Sequence, residues 1–254
     1  MKLQQLLYLI LSIVMVLILI SMMVSITILY LNLANTDSVV GTHTLRLIER
    51  ERANIIPVKL DSQSSKELKS CFFSQYTPHL PITISSDENF LTQAEHEGWS
   101  GSGTQDDPIV ITGLNITSNA KVLINISRTD LYFQLSNNFL NGPNTSSYTY
   151  AIYLGGILHG TIANNIIYNV SCGIKSDFCH FNSISGNEII DNGLGIYLKH
   201  SSFVTLSSNR LINNVVGIEL YKPSTMNNFL VSNFIANNTG SGIVFVSSSC
   251  YNVI

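Results

Sequence analysis

A chain of 254 residues is long enough to bury a substantial core, and its formal net charge of -3 and pI near 6.0 leave no basic footprint for nucleic acid. Four cysteines in this length do not make a disulfide framework. With 45% hydrophobic and only 11% charged residues the mean hydropathy reaches +0.26, high for a soluble protein, so some segment must be unusually apolar.

That segment is at the start. After a short tail at residues 1–5, Leu6 to Tyr30 is almost wholly Leu, Ile, Val and Met with a few Ser and Thr, and no Asp, Glu, Lys or Arg stands between Lys2 and Asp37. Crossing the hydrocarbon core takes ~20 residues, so residues 6–33 are expected to form a transmembrane helix in contact with membrane lipid. A cleaved signal peptide is the rival, but the run is too long for an apolar region of ~7–15 residues, and Asn32-Leu33-Ala34 is a poor cleavage site. The reading is an uncleaved, single-pass signal anchor. The few positive residues nearby favour weakly a short cytoplasmic N-terminus, with the bulk of the chain extracytoplasmic.

Residues 34–78 differ in kind. Ten of the chain's 29 charged residues lie between Arg46 and Lys69, including Glu49-Arg50-Glu51-Arg52. Mixed-sign charge reads as a solvated stalk, although Thr44 could cap a short partner-binding helix ended by Pro57.

From Ala151 onward one phrase returns: Gly173-Ile174, Gly195-Ile196, Gly217-Ile218 and Gly242-Ile243, with Ala151-Ile152 as a looser copy. The interval is 22 residues three times and then 25. A fixed period marks a stacked repeat. Each Gly-Ile opens a stretch of strand alternation, and a second strand signal ends at Ile162, Ile184, Leu206 and Leu230. Three residues further stand Asn165, Asn187, Asn209 and Asn233, then Ile167, Ile189, Leu211 and Ile235 two beyond. Asp191-Asn192, Asn213-Asn214 and Asn237-Asn238 close the rungs, and Leu135, Asn138 and Leu140 begin the pattern one rung earlier. Gly and Asn suit left-handed corners, stacked Asn side chains can bond rung to rung, and branched residues suit a buried parallel sheet.

A leucine-rich repeat competes, because Leu206-Ser207-Ser208-Asn209-Arg210-Leu211 fits part of its signature at an allowed period. The rest of the unit is a corner followed by another strand, where that repeat needs a helix. The fold class is therefore all-β: a right-handed parallel β-helix of ~22-residue rungs over residues 109–254, with no evident C-terminal cap, preceded by the membrane helix and stalk.

Residues 109–254 resemble the repeats of NosD-like periplasmic proteins and of the carbohydrate-binding and sugar-hydrolase (CASH) domains. Residues 79–108 resemble the N-terminal cap of such β-helices, in His79-Leu80-Pro81-Ile82-Thr83-Ile84, Gly98-Trp99-Ser100-Gly101-Ser102-Gly103-Thr104 and Asp106-Asp107-Pro108-Ile109. The resemblance implies a scaffold, since such folds include lyases, hydrolases, epimerases, adhesins and binding modules. Trp99 is expected to close the open core end rather than to serve as a sugar platform. At the other end Val253 and Ile254 fall where a second strand belongs, which leaves room for a fragment or for another β-helix subunit stacked there.

The outward face of the strand after each Gly-Ile is where chemistry is expected. Its register puts Tyr153, Lys175, Tyr197 and Glu219 in one column and Asp177, Lys199 and Tyr221 in the next. Three readings stay open: a solvated face, a surface for polysaccharide, and catalysis. Against the last, Asp177 and Glu219 come out about 12 Å apart from strand spacings, beyond the ~5–9.5 Å of glycosidase carboxylate pairs. His159, Cys179, His180 and His200 lie in successive corners at drifting offsets, so no metal site and no cofactor is expected. No catalytic residue is assigned. Of five N-x-Ser/Thr sequons, Asn144 in the long insertion is the best candidate for a glycan. The function expected is a membrane-anchored surface β-helix, structural, adhesive or glycan-binding, with a polysaccharide-active hydrolase or lyase as the alternative.

Overall fold

The computed structural model describes residues 76–142, 148–247 and 251–253. The tail at 1–5, the expected membrane helix at 6–33, all but the end of the stalk, and Asn144 lie outside the described residues. Among the described residues no helix is long and apolar enough to cross a membrane.

Twenty short strands wind into a parallel β-solenoid of about six turns, with little helix. Each turn lays one strand on each of three sheets, and all neighbours within a sheet are parallel. The first sheet stacks β1 (Thr77–Pro78), β4 (Leu114–Thr117), β7 (Phe139–Asn141), β10 (Ile166–Tyr168), β13 (Glu188–Ile190), β16 (Arg210–Ile212) and β19 (Phe234–Ala236). The second stacks β2 (Ile82–Ile84), β5 (Val122–Thr129), β8 (Tyr150–Ile157), β11 (Cys172–Asp177), β14 (Leu194–Lys199), β17 (Val216–Tyr221) and β20 (Ser241–Val246). The third stacks β3 (Ile109–Thr112), β6 (Phe133–Ser136), β9 (Gly160–Ala163), β12 (Ser183–Ser185), β15 (Thr205–Ser207) and β18 (Phe229–Val231).

The register follows the sequence period. Ile82, Ile124, Ile152, Ile174, Ile196, Ile218 and Ile243 form one column through the second sheet. Ile162, Ile184, Leu206 and Leu230 form another in the third, and Ile167, Ile189, Leu211 and Ile235 a third column in the first. These columns meet inside as a continuous aliphatic core in which almost every member is fully buried. One rung alone would expose that core above and below, and stacking removes the cost for all but the ends.

The corners show why Asn recurs. Asn138, Asn165, Asn187, Asn209 and Asn233 are inward-facing and linked in series, each Nδ2 donating to the next Oδ1 at 3.0 Å. Each also donates to a core strand's carbonyl, as Asn187 does to Ile162 O at 2.9 Å. Asn192, Asn214 and Asn238 make a second ladder at the next corner. The left-handed bend itself falls on the residue before: Asn137, Asn164, Gly186, Ser208 and Ser232 all have φ between 53 and 64°. The two demands of the corner, a bend and an amide, are thus met by different residues.

The glycine of the recurring Gly-Ile has another role. Gly173, Gly195 and Gly217 do not have positive φ. A Cβ on Gly173 would lie 2.7 Å from the carbonyl oxygen of Gly195 and 2.8 Å from an Ile189 methyl, so the side chain is excluded by the rung stacked on it.

Helix α1 (Asp87–Glu97) lies at the start of the solenoid. Ser86 accepts from Asn89 N at its N-terminus and Gly98 closes its C-terminus at φ 69°. Phe90 and Ala94 are its buried face, and Phe90 meets Trp99 edge-on at 6.3 Å and Phe133 at 5.7 Å. Trp99 therefore packs on the core, as a closing residue does. The solenoid also reaches back of residue 79, because Thr77 and Pro78 pair with Leu114 and Asn115.

Candidate functional site

The second sheet has the longest strands and presents its outer face along four consecutive rungs. Register places Tyr153, Lys175, Tyr197 and Glu219 side by side in one column, and Asp177, Lys199 and Tyr221 in the next. All seven residues singled out from the sequence thus share one face, and each is half-buried among its neighbours rather than freely extended.

Lys175 is the centre of the face. Its Nζ lies 4.9 Å from the Tyr150 ring centroid, 5.4 Å from Tyr153 and 5.9 Å from Tyr197. Three ring faces around one ammonium hold it by cation–π attraction. The tyrosines do not stack on one another: Tyr150 and Tyr153 are 6.0 Å apart at 53°, as are Tyr197 and Tyr221. Tilted rings leave part of each π-face open to a ligand.

Tyr150 was not legible as a site residue. Strict alternation from Ile152 would turn it inward, yet Ala151 and Ile152 are both buried and the parity flips between them. The signal was in the Gly-Ile phrase itself, where a residue without room for a side chain precedes the inward isoleucine.

Electrostatics on the face are set by crowding. Burial, and then the Glu219 carboxylate beside it, push the Tyr197 hydroxyl up to about 12. Tyr150 and Tyr153 are raised by burial first, and so is Glu219, whose carboxyl is held above its ordinary value by desolvation. Asp177 pairs with Lys199 at 3.2 Å, and its second oxygen stands 3.5 Å from His200 Nδ1, close but without hydrogen-bond geometry. Asp177 and Lys199 thus form an ion pair between neighbouring rungs. Asp177 is consequently engaged, and Glu219 is the carboxyl of the face without an ion pair among the described residues.

Cys172 stands in register with Tyr150, buried among its neighbours, its thiol pushed up to about 12 by burial. Cys179 is buried as well and likewise raised, and both are free thiols. The corner histidines are spoken for separately. His159 stacks on Tyr132 at 4.0 Å, His180 Nδ1 accepts from Ser202 N at 3.2 Å, and His200 stacks on Phe178 at 4.3 Å.

Three parallel sheets, aliphatic columns and asparagine ladders define a parallel β-helix repeat protein. Residues 81–254, more than half of the chain, match the family described as "Periplasmic copper-binding protein (NosD)", and the chain belongs to that family. Among solved structures it is similar to a double mutant of the periplasmic alginate epimerase AlgG, at 19% identity and a TM-score of 0.34, over 57% of this chain and 41% of that one. The chain thus spans less than half the length of that enzyme. No curated protein matches it.

Copper requires thiolate, thioether or imidazole donors converging on one point. Among the described residues no three His, Cys, Asp or Glu side chains converge in this way, and the two described thiols are buried and protonated. The described part of the chain does not fit a copper centre.

Proposed function

We propose that this protein is an extracytoplasmic, membrane-tethered β-helix module that binds polysaccharide on the outer face of the second sheet, without cleaving it. One observation carries the reading: Tyr150, Tyr153 and Tyr197 surround Lys175 with tilted, partly open rings on consecutive rungs. Pyranose rings offer C–H faces for aromatic rings and hydroxyls for phenols, amines and carboxylates, and a flat face repeating every ~4.8 Å suits an extended chain of them. The family's periplasmic description supports the compartment, and the charge-free residues 6–33 support the tether.

The test is a glycan panel with the full chain. Binding that falls by about tenfold in Tyr197→Ala, equivalent to about 1.4 kcal/mol, with sugars left intact, is the expected result. Failure of every glycan to bind, or binding indifferent to Tyr197 and Lys175, would reject the reading. The second reading, a polysaccharide-active enzyme, has one observation in its favour: Glu219 is a desolvated carboxyl with a raised pKa beside Tyr197, as a general acid would be. New reducing ends or unsaturated products that vanish in Glu219→Gln would establish it in place of the first.

A further inference from the structure

The strands of the second sheet do not all end alike. Beyond Tyr153 on β8 the outward position is Gly155 and the corner after it Gly156, whereas the next rungs carry Asp177 and Phe178, then Lys199 and His200, then Tyr221 and Lys222. Gly156 has φ 66°, so the left-handed bend accounts for it. Gly155 does not have positive φ, and the backbone gives no reason for a glycine there.

The reason is its neighbour on the strand. A Cβ on Gly155 would lie 2.9 Å from Cε1 of Tyr153 and 3.2 Å from the Tyr153 hydroxyl oxygen. Both atoms belong to the far end of a ring that starts two residues earlier, so Tyr153 reclines along β8 over the missing side chain. Side chains of a strand ordinarily stand roughly perpendicular to the sheet. An upright ring offers an edge to solvent, whereas a reclining one offers a face, and Tyr153 is only half-buried. Tyr197 holds the same register position two rungs further on, which is about 9.6 Å by strand spacing. Lys175 Nζ lies between the two rings, 5.4 Å from the one and 5.9 Å from the other.

We propose that Gly155 is a positioning residue that lays Tyr153 down as a stacking platform, and that Tyr153 and Tyr197 together select a flat, equatorially linked glycan ribbon running along the solenoid axis. The assignment rests on the polysaccharide reading of the same face and names the class of chain that the face takes. In a β-1,4-linked chain of glucose type the linkages are equatorial, so the rings stay near one plane and alternate residues repeat one orientation. That repeat is two pyranose lengths, which matches the two-rung spacing of the tyrosines. An α-1,4-linked chain of the same sugar coils, and its successive rings turn away from a flat face. Shape and not charge does the selecting, because Lys175, Lys199 and Lys222 share the face with Asp177 and Glu219.

The experiment titrates the full chain with cellohexaose, maltohexaose and cellobiose, the two hexaoses differing only in linkage geometry. Cellohexaose should bind at least about tenfold more tightly than maltohexaose, and than cellobiose, which is too short to reach both rings. Gly155→Ala suits the backbone and displaces only the end of a ring, so its circular dichroism should match the parent's while cellohexaose binding falls about fivefold. Because the glycine acts through the ring, Gly155→Ala should have no further effect in a Tyr153→Ala chain. Equal affinity for the two hexaoses, cellobiose bound as tightly as cellohexaose, unchanged binding in Gly155→Ala, or a loss that persists once Tyr153 is alanine would each overturn this inference and leave glycan binding at the face standing. Binding of another glycan with neither hexaose bound overturns it in the same way, and a chain that binds no glycan at all rejects the polysaccharide reading as well.

Discussion

At the scale of single residues, the corner amides and the phrase glycines hold the solenoid together through exclusion and satisfaction of polar groups. Asn187 is fully buried; its Oδ1 accepts from Asn165 N and Nδ2, and its Nδ2 donates to Ile162 O and Asn209 Oδ1. Asn187→Ala strands those partners in the core, so a loss of roughly 2–4 kcal/mol is expected, read as a lower urea midpoint, with no relief from Asn187→Leu of similar bulk. Gly195 is the counterpart. A Cβ there would overlap the carbonyl oxygen of Gly217 and lie 2.6 Å from Leu211 Cδ2, so Gly195→Ala should cost at least about 2 kcal/mol although its φ is ordinary. The equivalent site one rung before the phrase settles into Gly is Ala151, where a Cβ is accommodated, and Ala151→Gly should be the milder change. The sequence pattern made these positions conspicuous and gave Asn both jobs of the corner, the left-handed bend and the rung-to-rung bond. The bond is present at Asn165, Asn187 and Asn209, whereas the bend falls one residue earlier, on Asn164, Gly186 or Ser208. A period reports that a position is constrained and does not report which atom constrains it.

Strands of the second sheet turn that backbone into a surface. The column of Tyr153, Lys175, Tyr197 and Glu219 was legible because parallel stacking at a fixed period puts equal offsets side by side. Tyr150 was not, because it depends on a parity break at the Gly-Ile corner. Two measurements address the element. Beside Tyr150, Cys172 is buried and protonated, so alkylation of the native chain at mildly alkaline pH followed by peptide mass mapping should leave Cys172 and Cys179 unmodified, and unfolding should expose both. On the face, Tyr197 is raised from 10.0 to about 12, which means the folded state favours the protonated phenol. Its contribution to stability is therefore full below pH 10.0 and lost as pH rises through about 12. Thermal melts across that window should fall less steeply in Tyr197→Phe than in the parent, with the remaining fall due to Tyr150 and Tyr153, whose hydroxyls are raised in the same direction.

For the solenoid as a whole, stability is a sum over neighbours, since each rung touches only those above and below it. Of this, the repeat, the three strands per rung and the inward columns could be read in advance, because one structural unit is written several times over. The means of closing the first rung is written once, in α1, and no period reveals which of its side chains does the closing. Phe90 is that residue, fully buried and held between the Trp99 edge at 6.3 Å and the Phe133 ring at 5.7 Å. Removing it by Phe90→Ala leaves a cavity over the open core and should cost about 3–5 kcal/mol. In a globular core such a loss lowers the whole domain together, whereas in a nearest-neighbour stack it acts first at one end. Amide hydrogen exchange should therefore show β2 and β5 losing protection in Phe90→Ala while β14, three rungs beyond β5, keeps the parent's protection in native buffer. Uniform loss across β5, β8, β11 and β14 would mean that the rungs open as one unit, and the additive account of the solenoid would fail.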